Sequence, residues 1–170
     1  KVKIAEIMIR QEINVTGLSR KEIYAKMEQN LTVMEQAIER GLNGVKSMTG
    51  LTGGDSVRLQ EYIKSGKALG GDILLDAVSK AMATNEVNAA MGIICATPTA
   101  GSAGVVPGVL FALKENLNPT REEMIEYLFT SAAFGFVVAN NASISGAAGG
   151  CQAEVGSASG MAAAAAVELA

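Results

Sequence analysis

The chain has 170 residues, 49% of them apolar and only 4% aromatic, with a formal net charge of −3. That length suits one domain with a core of its own, and the acidic balance excludes a basic footprint for nucleic acid. With 19 glycines and three prolines, the core must be filled by Ala, Val, Ile, Leu and Met, in helices packed closely through small residues.

Two cysteines make no disulfide framework, and the chain reads as cytoplasmic with reduced thiols. The opening "KVKIAEIMIRQE" is too charged for a signal peptide. The closing "GMAAAAAVELA" is shorter than the roughly 18 apolar residues that span a bilayer, and reads as a buried helix. There is no histidine. Acid–base chemistry near neutral pH would need a shifted Lys or carboxylate, a metal-bound group, or a residue of another chain.

In chain order, residues 1–12 form a short amphipathic helix with Val2, Ile4, Ile7 and Met8 on one face, and "INVTGL" breaks the period. Ser19 and Glu22 form a capping box for the next helix. Its stripe is Ile23, Met27, Leu31, Met34, Ile38 and Leu42, bounded by Gly41 and Gly44. Asp55, after Gly53-Gly54, is the expected N-cap of a short helix to Ser65. Backbone amides at such a helix start can hold an anion, although the signal is weak and turn punctuation alone more often explains such glycines. Asp72 is the expected cap of a helix over 73–92, with Leu74, Val78, Met82 and Ala89 along it. Asn85, Glu86 and Asn88 form a polar cluster near its end that faces either solvent or a site.

"CATPTAGSAGVVPG", 95–108, has no helical period and leads into a helix at about 105–115. Thr120 and Glu123 form a second capping box. The helix they open runs to about Asn140, apolar nearly all round after Glu126 and so expected to be buried. "GFVVA" within it could pass for a strand, but its flanks continue the helical run. "NNASISGAAGGC", 140–151, is a second polar loop, leading into a helix over about 153–170. The fold class is all-α: a compact bundle of six to seven helices forming one domain over 1–170, with two Gly/Ser/Thr/Asn-rich loops between buried helices.

The two loops, with the Asn85–Asn88 cluster nearby, are candidates for one pocket lined by hydroxyls and backbone donors. Cys95, after "GII", reads as a small buried hydrophobe. Cys151 follows two glycines just before a helix start, where the dipole favours thiolate. That suits a nucleophile or a metal ligand. The first lacks a histidine and the second lacks further cysteines, so residues alone leave Cys151 without partners.

"GLTGGDSVRLQ", "ATNEVNAAMG", "CATPTAGSAGVVPG" and "FGFVVANNASISGAAGGCQAEVGSASGMAAAA" resemble the α chain of bacterial iron–sulfur-dependent L-serine dehydratases, from "AEIMIRQE" to the final alanines. The resemblance implies an L-serine ammonia-lyase of serine catabolism and gluconeogenesis, giving pyruvate and ammonia without pyridoxal phosphate. It implies a [4Fe–4S] cluster on three cysteines, with one iron open as a Lewis acid. Cys151 answers the "GGCQ(A/G)EVG" ligand. The other two ligands lie later in the family's α chain, past Ala170, so the chain reads as an N-terminal portion, inactive alone. Cys95 is not among the family's ligands. The substrate's charged ends are assigned to Thr97, Thr99, Gly101, Ser102, Asn140, Asn141, Ser143 and Ser145. A β chain or fused β domain is the implied partner in an oligomer, and its histidines are candidate bases. Lys67 is the alternative within this chain, and its other reading is a solvated surface lysine. The competing readings are a non-catalytic helical interaction module and a sibling lyase for another hydroxy amino acid.

Overall fold

A computed structural model describes residues 2–170 and holds seven α-helices, with no strand among those residues. They are α1 (Ile4–Thr16), α2 (Arg20–Leu42), α3 (Asp55–Lys64), α4 (Asp72–Ala89), α5 (Val105–Leu117), α6 (Arg121–Asn141) and α7 (Gly146–Leu169). None is long and apolar enough to cross a membrane. Lys1, the start of the first expected helix, lies outside the described residues.

The core lies between α1, α2, α5, α6 and α7. Ile9, Leu31, Met34, Leu110, Met124 and Leu128 are central to it. Both expected capping boxes are present. Ser19 and Thr120 each accept from the N–H three residues on, while Glu22 and Glu123 reach back to the cap. Along α2, Ile23, Leu31, Met34 and Ile38 are buried as their spacing requires.

Elsewhere the local pattern misleads. α1 continues through "INVT" and ends at Gly17, whose positive φ closes the helix. Its buried residues are Ala5 and Ile9, while Val2 and Ile7 are exposed. Asp55 and Asp72 do not cap α3 and α4. Gly54 and Gly71 stand at the caps, and neither helix start has a side-chain cap of its own. A distant carboxylate serves α3 instead. Glu86 on α4, 7% exposed, accepts from the N–H of Asp55 at 2.7 Å, the N–H of Ser56 at 3.2 Å and Ser56 Oγ at 2.6 Å. Glu168, near the end of α7, does the same for α1, accepting from the N–H groups of Ile4 and Ala5 and from Thr130 Oγ1. Burial raises the Glu168 pKa and these donors lower it, leaving it below the usual carboxylate value.

α4 is outside the main apolar cluster and docks by backbone approach. A Cβ on Gly41 of α2 would lie 2.3 Å from the Ala83 carbonyl oxygen, and one on Gly104 would lie 2.2 Å from that of Ala81. Small residues and polar groups, not the expected Leu74–Val78 stripe, face the bundle. Ser79, Ala83, Thr84 and Val87 are buried, whereas Leu74 is 63% exposed. Gly41→Ala must push α2 and α4 apart, and should cost about 1–3 kcal/mol in denaturant unfolding of the complete protein.

α6 also departs from expectation. Met124, Ile125 and the run from Tyr127 to Ser131 are buried, but Phe134, Phe136 and Val137 are exposed. The helix extends to Asn141, so the second polar loop is shorter than its sequence suggests.

Candidate functional site

The first polar loop joins α4 to α5. Its own hydroxyls hold its shape. Ser102 Oγ, on a fully buried residue, donates to the Thr97 carbonyl at 3.1 Å, and Thr97 Oγ1 donates to the Ala103 carbonyl at 3.4 Å. Thr99 Oγ1 lies 3.1 Å from Ser102 Oγ. Asn88, in the last turn of α4, donates Nδ2 to the Ala100 carbonyl at 3.1 Å and so pins the loop to its helix. The rest of the Asn85–Asn88 cluster divides: Asn85 is exposed, and Glu86 turns toward the start of α3.

The second loop is what remains between Asn141 and Gly146. Asn140 and Asn141 lie within α6, where their Nδ2 atoms donate to the Phe136 and Val137 carbonyls at 2.7 Å. Ser145 is the N-cap of α7 and accepts from the Ala147 N–H at 3.2 Å. Ser143 is exposed beside Gly149. α7 makes one turn and then breaks at Gly150, with φ 76° and ψ 174°, a region open to essentially glycine alone. The helix resumes at Cys151, which stands exposed in the first turn of the long segment.

Glu154 brings the two loops together. It lies one turn after Cys151, and residues three apart share a helix face. Its Oε1 accepts from Thr99 Oγ1 of the first loop. A Cβ on Gly101 would lie 2.6 Å from Oε1, and one on Gly146 would lie 2.7 Å from Oε2. The carboxylate therefore fits between the backbones of both loops only because both positions are glycine. The sequence reading missed this residue. Its signal was available: Glu154 is the only charged residue between Glu126 and Glu168.

Lys67 is exposed in the connection between α3 and α4, where its carbonyl accepts from Tyr62 Oη at 3.0 Å. Cys95 packs against the core and lines a cavity of about 170 Å³ with Met27, Met34 and Met161. Burial pushes its thiol pKa up. Cys151 is open to solvent. Iodoacetamide should therefore modify Cys151 at least about tenfold faster than Cys95, read by peptide mass spectrometry over time.

No group of three or more Cys, Asp or Glu side chains among the described residues is placed to hold a metal ion. One protruding thiol, preceded by two glycines and free of bulky neighbours in sequence, fits a single ligand of a larger thiolate-held centre. It does not fit a complete site.

An all-α chain thus presents one exposed cysteine at a helix break, with two hydroxyl- and glycine-rich loops joined beside it. The chain matches the family described as serine dehydratase alpha chain over residues 1–170. It is 72% identical over 169 residues to a probable L-serine dehydratase alpha chain of Bacillus subtilis, covering 99% of this chain and 56% of that one. It is 66% identical over 99 residues to a probable L-serine dehydratase alpha chain of Latilactobacillus sakei, covering 58% and 47%. The L-serine dehydratase alpha chain of Peptoniphilus asaccharolyticus is 40% identical over 169 residues, covering 99% and 58%. The chain belongs to the serine dehydratase alpha chain family. It spans about half the length of these curated relatives.

Proposed function

We propose that this chain is the substrate-binding and first ligand-bearing part of an L-serine dehydratase, which converts L-serine to pyruvate and ammonia. The observation that carries the reading is the meeting of the Thr97–Ser102 loop with the helix face of Cys151, across Glu154. Names of relatives similar over nearly the whole chain support the same reaction.

The elimination removes the proton on Cα and the hydroxyl on Cβ. The resulting enamine tautomerises to an imine, and hydrolysis of that imine gives pyruvate and ammonium. Cys151 would be one of three thiolate ligands of a [4Fe–4S] cluster, the other two being contributed by the rest of the α chain. When bound, such a cluster supplies an open iron as a Lewis acid toward the hydroxyl. Residues of this chain bind and orient the substrate. The Thr97–Ser102 turn and the start of α7 offer backbone N–H donors to the carboxylate. The proton on Cα would go to a base of a partner β chain or domain, as the family resemblance implies. The exposed apolar side chains Phe134, Phe136 and Val137 on α6 are a surface suited to such a partner.

The test is anaerobic reconstitution of the complete α chain and its partner with iron and sulfide, followed by a pyruvate assay. L-Serine should be turned over well ahead of D-serine, with 2-oxobutyrate formation from L-threonine also slower. Preference for another hydroxy amino acid would replace the substrate. An assembly that takes up no iron and shows no turnover would favour a non-catalytic helical module.

A further inference from the structure

We propose that Glu154 is the acceptor for the substrate's ammonium group, so that the site selects amino acids over their deaminated analogues; this inference rests on the reading of the chain as an L-serine dehydratase. Glu154 is a half-buried carboxylate without a cationic partner, and no ion pair among the described residues includes it. Of its two oxygens, Oε1 is engaged by Thr99 Oγ1, and no described donor reaches Oε2. Two different loops place glycine against this carboxylate, at Gly101 and Gly146. A side chain at either position would fill the space at 2.6 or 2.7 Å from its oxygens.

Leaving a carboxylate partly desolvated and unpaired is costly, and a cation supplied by the ligand removes that cost. The Thr99 hydroxyl fixes the orientation of the carboxylate, so the free oxygen is set before the ligand arrives. Cys151 and Glu154 stand one turn apart on one helix face, about 5–6 Å between Cβ atoms. A hydroxy amino acid held on this face can place its ammonium at Glu154 while its hydroxyl faces the side on which Cys151 stands. The carboxylate end of such a ligand is then left to the backbone donors of the loops.

The experiment compares Glu154→Gln with the wild type in the reconstituted complete enzyme, using L-serine and 3-hydroxypropanoate, which is serine without its amino group. Glutamine keeps the acceptor for Thr99 and removes the charge. The KM for L-serine should rise about 10- to 100-fold, the loss expected for a hydrogen bond to a charged group. Inhibition by 3-hydroxypropanoate and the iron content should not change. Glu154→Asp, which keeps the charge, should recover part of the loss. Equal weakening of both ligands would assign Glu154 a purely structural role, and an unchanged KM for L-serine would remove it from the site; either result overturns the proposal. A wild-type enzyme that neither binds nor converts L-serine would instead overturn the parent reading.

Discussion

Cys151→Ala in the complete, reconstituted protein should lower L-serine turnover by more than about 100-fold, beyond the 10- to 100-fold that outer-shell partners of a metal site cost. Substitution of Cys95 should leave turnover largely intact. The two thiols differ in what surrounds them. Cys95 packs against the core, with its pKa raised by burial. Cys151 projects from a helix start that exists because Gly150 adopts φ 76° and ψ 174°. A thiolate ligand must leave the helix surface and reach its metal, and the break at Gly150 makes that possible. Removing the sulfur would delete the proposed ligand without removing core contacts, so the circular dichroism and unfolding midpoint of the protein without iron should be unchanged. Loss of turnover accompanied by loss of fold would remove the argument for ligation.

The largest effect on stability is expected at Lys80. Its ammonium, on a residue only 7% exposed, donates to Asp76, to the Phe111 carbonyl at 3.0 Å and to Glu115 Oε1 at 3.0 Å. It fastens α4, which contributes no side chain to the apolar cluster, to α5. Lys80→Ala removes the ammonium from the Phe111 carbonyl and leaves the partly buried Asp76 carboxylate with the neutral Gln60 amide as its remaining side-chain donor. The cost should be about 2–4 kcal/mol by denaturant unfolding of the complete protein. Lys80→Met with Asp76→Leu should recover part of that loss, because removing both charges avoids stranding one of them. A single variant as stable as the wild type would show that α4 is held without the Lys80 contacts.

Features legible in the sequence are those set by neighbours along the chain. Ser19 with Glu22 and Thr120 with Glu123 were readable because a capping box is contained in four residues. The α2 stripe was readable because its burial follows one helical period. Asp55 was misread as a cap because the group that satisfies the start of α3 is Glu86, on another helix. The buried face of α4 was misread for a related reason. Helices that approach through Gly41 and Gly104 exclude large side chains from the contact, which sends Leu74 and Val78 outward. At the site, hydroxyls and glycines marked both loops, but only the fold shows how they are used. Ser102 and Asn88 hold the first loop together, Asn140 and Asn141 bond back to their own helix, and Glu154 joins the two loops.

The central claim is that Cys151 and the two loops form one site, where L-serine sits beside a cluster ligand. Mössbauer spectroscopy of the complete enzyme reconstituted with iron-57, recorded with and without L-serine, tests it most directly. The account predicts that L-serine changes the signal of one iron in the wild type and that the Cys151→Ala protein lacks the cluster signal. An intact cluster spectrum in the Cys151→Ala protein, still responsive to L-serine, would contradict it.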